Sequence, residues 1–171
     1  KCPLSGCTGQ PELFYQGGAF EPNDVQARAG LVYFTHWPGL SSCPPSGCSG
    51  GAEEQLGSGA GPVAIDVDSQ YLYVGRVGGQ IVHRCPLTGC PATTGSELMT
   101  AVRPISVAVD AASLYVSDYN VFNWGPDAGT DARILKCPLA GCGASGPTVI
   151  ASGDISPYAI AIDEGRLYYT N

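Results

Sequence analysis

Charge is scarce in this chain. Only 13% of its 171 residues are Asp, Glu, Lys or Arg, against about 25% in an ordinary globular domain. Lys and Arg number 8 against 15 Asp and Glu, a net charge of −7. That balance leaves no basic stripe for a phosphate backbone, so nucleic acid is not an expected partner. An anionic membrane surface is disfavoured on the same ground. No apolar run approaches the roughly 18 residues of a spanning helix, so membrane insertion is not expected. Histidine occurs twice, as His36 and His83. Two are too few for a histidine-rich metal site, and exposed or edge-strand positions are expected for both. No G-x-S-x-G elbow, phosphate loop or H-E-x-x-H motif occurs, and helical periodicity is nowhere sustained. With no start methionine and no signal peptide, a mature piece or a fragment is expected.

What is abundant is punctuation, 24 Gly and 14 Pro, and it falls in a repeat. "GPVAIDVDSQYLYVGR" (61–76) lies over "RPISVAVDAASLYVSD" (103–118) and "SPYAIAIDEGRLYYTN" (156–171). The copies share Pro62, Pro104 and Pro157, then Ile65, Val107 and Ile160, then Asp68, Asp110 and Asp163. Leu72, Leu114 and Leu167 follow, each with a tyrosine after it: Tyr73, Tyr115, Tyr168. A weaker copy, "EPNDVQARAGLVYFTH" (21–36), keeps Pro22, Val25, Val32 and Tyr33, with Arg28 in the Asp column.

Each unit carries four short β signals, such as "AIAID", "RLYYTN", "RILKC" and "PTVIAS" in the last copies. The Asp column recurs at spacings of 40, 42 and 53 residues. Four strands in such a period are the signature of a propeller blade. A sandwich is the rival, but it does not predict so regular a repeat. The expected fold is therefore all-β, a β-propeller of four-stranded antiparallel blades in one domain. The blade units are 22–61, 62–103 and 104–156, with half-blades at 1–21 and 157–171. The first two strand signals of a unit stand at the C-terminal end and the last two at the N-terminal end. This describes either a four-bladed ring closed by its two ends or a fragment of a larger ring, and the fragment, with open edges, is favoured. Six-bladed rings need ~250 residues at this period.

The run "LYYTN" (167–171), preceded by "AIAID" and a proline, resembles the YWTD and NHL group of β-propellers, which includes TolB-like six-bladed folds. In YWTD blades the final acid helps tie blades together. Here that column reads His36, Arg76, Asp118 and Asn171. The added CPLxGC hairpins resemble secreted bacterial propeller proteins, a likeness that implies no particular activity.

The eight cysteines form four C-x4-C pairs: Cys2/Cys7, Cys43/Cys48, Cys85/Cys90 and Cys137/Cys142. A shared zinc or iron–sulfur site needs ligands that converge, whereas equivalent positions on successive blades lie far apart. Covalent haem needs C-x-x-C-H, which is absent. In C-P-L-T-G-C the proline presets φ for a turn and Gly89 supplies φ > 0. Facing residues of an antiparallel pair lie within disulfide range. Local bridges are expected, although eight cysteines permit many connectivities. They imply an oxidising compartment: secreted, cell-surface or periplasmic, in a bacterium by the resemblance above.

Turn-capping by the Asp side chain explains Asp68, Asp110 and Asp163 better than a calcium ring does. The repeated tyrosines are expected in inter-blade packing. One stretch breaks the repeat. "YNVFNWGPDAGTDA" (119–132) stands where the earlier blade has "VGGQ" (77–80). Its Tyr119, Phe122 and Trp124, followed by Asp127 and Asp131, suit stacking on a sugar or peptide and accepting hydrogen bonds. Trp37, in "THWPGL", occupies the corresponding loop of an earlier blade. These six residues form the candidate binding site. The leading functional expectation is a non-catalytic extracellular binding or scaffold domain for a protein or glycan, with no cofactor and no metal. The alternatives are a calcium- or zinc-dependent propeller hydrolase or lactonase, with Asp118, Asn120 and Asn171 as its only available ligands, and a structural subunit of a surface assembly that associates through open blade edges.

Overall fold

The alternating β-branched, aromatic and small residues of each repeat form short strands, and Pro, Gly and Asp turns separate them. In a computed structural model, residues 1–15, 22–28, 30–48, 54–90, 95–100, 103–119, 132–153 and 157–171 are described. Three four-stranded antiparallel meanders follow one another. The first is β1 (Pro22–Arg28), β2 (Leu31–His36), β3 (Gly39–Cys43) and β4 (Glu54–Ser58). The second is β5 (Pro62–Val67), β6 (Tyr71–Arg76), β7 (Ile81–Pro86) and β8 (Ser96–Thr100). The third is β9 (Pro104–Val109), β10 (Ser113–Asp118), β11 (Arg133–Pro138) and β12 (Thr148–Ser152). A two-stranded sheet of β13 (Ile160–Asp163) and β14 (Arg166–Tyr169) ends the chain. These are the expected blades. The first strands pack in succession, β1 on β5, β5 on β9 and β9 on β13.

The Leu-Tyr column explains how the blades stack. Adjacent residues of a strand point to opposite faces. Leu72 packs backward with Tyr33, Leu40 and Leu56 of the first blade. Its neighbour Tyr73 packs forward with Val107, Leu114 and Leu135 of the third. Leu114 in turn faces back toward Ala64, Val82 and Met99 of the second blade. Tyr33 and Tyr73 are thus inter-blade packing, as expected, whereas Tyr168 is 50% exposed.

The first strands are also tied by side chains. Asp24 Oδ2 accepts from the Ile65 N–H at 2.9 Å, Asp66 Oδ2 from Val109 N–H at 2.7 Å, and Ser106 Oγ from Ile160 N–H at 3.2 Å. Burial raises the pKa of both carboxylic acids despite these bonds. The acid column of the sequence does not make these ties. His36 bonds Ser41 within its own blade. Arg76 reaches Gly59 O and Cys90 O.

Two expectations are corrected. Both histidines are buried, His36 and His83 being 4% and 5% exposed, because β2 and β7 are interior strands whose both faces are covered. The half-blade expected at 1–21 forms no strand within the described residues 1–15, apart from a bridge from Tyr15 to Cys48. Pro3 and Pro11 lack ladder donors, and Gly6 and Gly9 stand at φ of 104° and 111°.

Candidate functional site

All four expected disulfides are present: Cys2–Cys7, Cys43–Cys48, Cys85–Cys90 and Cys137–Cys142. Their hairpins do more than close a turn. The outer strand of each complete blade carries a bulge that leaves one residue out of the ladder: Leu56, Leu98 and Ile150. A bulge frees a carbonyl for another partner. The Cys90 N–H donates to Leu56 O at 2.6 Å, and the Cys142 N–H to Leu98 O at 3.1 Å. Each hairpin therefore clasps the blade before it. The Cys48 N–H does the same to Phe14 O at 2.9 Å. Glycine serves φ at all three clasps, and at Gly47 it is also required for space, with Gly89 tight. A Cβ on Gly47 would lie 2.6 Å from Phe14 O, and one on Gly89 3.2 Å from Leu56 O. A strap reinforces two of the three clasps from the other side. The Arg84 guanidinium donates to Leu139 O, and Lys1 Nζ to Pro45 O, the same position of the next hairpin.

Chain direction sorts the connections onto two faces. The hairpins lie at the β3–β4, β7–β8 and β11–β12 connections, on the same face as the Asp turns between first and second strands. In those turns Asp68 Oδ1 accepts from the Gln70 and Tyr71 N–H groups, both at 2.7 Å, while Oδ2 accepts from the Tyr73 hydroxyl at 2.7 Å. Asp110 repeats the arrangement with Ala112, Ser113 and Tyr115. The third turn is made differently, with Glu164 and Gly165 at φ of 45° and 74°, a backbone solution in place of a side-chain cap.

The opposite face holds the β2–β3, β6–β7 and β10–β11 connections, which contain Trp37, residues 77–80 and the 119–132 insertion. Trp37 is 61% exposed. Its ring lies over Gly61, where a Cβ would sit 2.6 Å from the indole. The same linker holds the neighbouring loop, since Gly61 O and Ala60 O accept from the Val77 and Gly78 N–H groups. The indole is therefore presented on a braced support between the first and second blades. At the end of β6 the buried Arg76 donates to Gly59 O at 2.7 Å and to Cys90 O at 2.5 Å. Burial lowers the pKa of Arg76, and burial together with Arg76 lowers that of His83.

At the insertion the structure describes the base. Asp118 and Arg133 are the last register pair of β10 and β11. Asp118 Oδ2 accepts from Arg133 Nε at 2.8 Å and pairs with its second nitrogen at 2.8 Å, while Oδ1 accepts from the Arg103 N–H at 2.6 Å. This ion pair clamps the two ends of the loop. Tyr119, half-buried, donates its N–H to Arg103 O at 3.2 Å. Phe122, Trp124, Asp127 and Asp131 lie outside the described residues, as does Asn120. Trp37 and Tyr119 are thus on one face but two blades apart, with the short 77–80 turn between them.

Among solved structures, a chain of the nidogen/laminin complex is similar, with a TM-score of 0.61 and 16% identity over 83% of this chain and 52% of that one. This chain therefore spans about half the length of that neighbour. The computationally designed Ika4 protein is similar with a TM-score of 0.54 and 11% identity, over 95% of this chain and 98% of that one. At these identities the likeness bears on fold alone. The chain has a β-propeller fold. No family model and no curated protein matches the sequence. Within the propeller, the inter-blade clasps are what reading the sequence missed. Their one visible signal is the basic residue before the first cysteine in three of four hairpins: Lys1, Arg84 and Lys136.

Proposed function

We propose that this propeller is a non-catalytic binding domain, secreted or displayed in an oxidising compartment, that presents its β2–β3-type loop face to a protein or glycan. The observation that carries the reading is the exposed Trp37 indole, seated on Gly61 and sharing a face with an insertion whose base is clamped by Asp118 and Arg133. Exposed aromatics on rigid supports give contact area at low entropic cost. The nidogen/laminin neighbour comes from a complex between proteins, which supports a protein as the partner class. Four disulfides support the compartment, and no described helix is long and apolar enough to cross a membrane. The hydrolase alternative gains no support at Asp118, whose two oxygens are already engaged by Arg133 and the Arg103 N–H.

Binding to a glycan array and to a displayed peptide library tests the reading. Trp37→Ala should weaken any captured ligand about tenfold or more, because buried aromatic anchors dominate such contacts. Its melting temperature should stay close to that of the native protein. Equal binding by both proteins would reject the loop face as the site.

A further inference from the structure

Where the third blade has Asp118 paired with Arg133, the second has Arg76, fully buried and with no carboxylate paired to it among the described residues. Its two terminal nitrogens donate to neutral carbonyls, Gly59 O and Cys90 O, and its Nε is buried without a partner. His83 shares that face. Its register partner on β6 is Val74, two residues before Arg76, so imidazole and guanidinium are diagonal neighbours on the side that meets the first blade. His83 Nδ1 is also buried without a partner. Gly95 closes over the histidine, since a Cβ there would lie 2.9 Å from His83 Cβ and 2.8 Å from Cys85 Sγ.

Arg76 anchors a strained linker. Gly59, Ala60 and Gly61 stand in succession at φ of 87°, 54° and 56°, and such backbone persists only where its surroundings hold it. The Gly59 N–H donates to Pro38 O at 2.9 Å, Gly61 lies against the Trp37 ring, and the carbonyls of Ala60 and Gly61 accept from Gly78 and Val77. Those contacts all belong to the loop face, whereas Arg76 holds Gly59 O from the interior. The charged groups that act on His83 are Arg76 of β6 and the exposed Glu97, its register partner on β8. Arg84, beside it on β7, points the other way to Leu139 O, and the first blade meets this interface with Tyr33, Leu40 and Leu56. Burial and Arg76 hold the His83 pKa below its ordinary value, against the pull of Glu97. Stability from such a histidine is complete above the unfolded value of ~6.5 and is lost as the pH falls through the lower folded one. A proton taken up there sets two cations side by side in a poorly solvated interface, where they repel strongly.

We propose that His83 and Arg76 form a proton-operated latch that holds the Trp37 platform. With His83 neutral, Arg76 keeps the 59–61 linker and Cys90 O in place. Protonation of His83 drives Arg76 off both carbonyls, the linker loses its interior anchor, and the indole loses its support. As regulation of the loop face, the latch rests on the binding function proposed above. A partner held by the seated Trp37 is released on acidification, and by linkage a bound partner makes His83 harder to protonate.

Proton–nitrogen correlation NMR of the full, ligand-free chain, titrated from about pH 8 to about pH 5 across the range in which histidine changes charge, tests the latch. The Trp37 indole N–H, assigned by its loss in Trp37→Ala, and the amides of Gly59, Val77 and Gly78 should shift together with the His83 imidazole. Their shared midpoint should lie below ~6.5. His83→Gln, which stays neutral, should lose that transition, while shifts caused by the buried Asp24 and Asp66 remain in it. Arg76→Met should place the Trp37 and Gly59 signals at their low-pH positions at every pH. Should either variant fail to fold, the native titration decides alone. Linker and indole signals that stay fixed while His83 titrates would overturn the proposal. So would an imidazole that stays neutral throughout, or the same shifts in His83→Gln. The outcome is independent of the capture test on Trp37→Ala, because no ligand is present. A latch that moves on a face that captures nothing would reject the binding function and leave the latch standing.

Discussion

Asp68 and Asp110 show how much one carboxylate does in a short turn. Burial acts to raise the Asp68 pKa, but the bonds from the Gln70 N–H, the Tyr73 hydroxyl and the Tyr71 N–H outweigh it and hold the group below its ordinary value. Asp110 is lowered in the same way through Ala112, Tyr115 and Ser113. Burial and the bond to Asp68 in turn raise the pKa of the Tyr73 hydroxyl. A carboxylate whose folded pKa lies below its unfolded value near ~3.9 adds stability that is complete above that value. That stability is lost as the pH falls through the lower folded value. Tyr73→Phe should therefore cost about 1 kcal/mol at neutral pH by removing a bond to an ion at a partly exposed site. The gap between the variant and the native protein should narrow below about pH 4. Urea unfolding of both proteins at pH 7 and pH 3 measures it, and a gap independent of pH would contradict the assignment.

Among the elements, the hairpins carry the sharpest contrast. Cys43, Cys85, Cys90 and Cys137 are almost wholly buried, whereas Cys2 is exposed and Cys7 half-exposed. Thiol–disulfide exchange needs access to sulfur, so mild reductant should open Cys2–Cys7 first, as differential alkylation and peptide mapping would show. Loss of any one bridge should cost about 2 kcal/mol, the figure for so small a loop. The pairing itself was legible, because proline and glycine sit where a tight turn needs them. The Leu-Tyr stacking was legible as a column of a repeat, and so were the caps at Asp68 and Asp110, but not the turn at Asp163, which Glu164 and Gly165 make with the backbone. The direction of the hairpins was not. Leu56 O and Leu98 O become acceptors through a backbone bulge, which no side-chain pattern records. Asp24 and Asp66 escaped notice for another reason: they do the same work two positions apart in the repeat, so they share no column. The burial of His36 and His83 follows from their interior strands, whereas the sequence showed only a polar residue in a β segment.

Across the whole molecule, the two faces divide the labour. Disulfide hairpins and Asp turns occupy one face and hold the blades, so the loops of the other face are free to vary in length. The 119–132 insertion leaves its blade through the Asp118–Arg133 pair, which sits in regular register. Replacing 119–132 by the VGGQ of the second blade should therefore leave thermal stability nearly unchanged while abolishing capture of a protein or glycan ligand. A collapse of the fold would show instead that the loop is structural, and unchanged capture would remove it from the site. The candidate residues there were legible as a break in the repeat, since a blade of this kind needs only a short turn at that point.

The clasps also have an order in time. Three of the hairpin N–H groups reach back along the chain: Cys48 to Phe14, Cys90 to Leu56, Cys142 to Leu98. A chain emerging from its N-terminus thus brings out each acceptor before the donor that seeks it. No blade has to wait for a later one to find its seat. Growth can proceed one blade at a time on a surface already built, and the growing end always offers a fresh bulged carbonyl to whatever hairpin comes next.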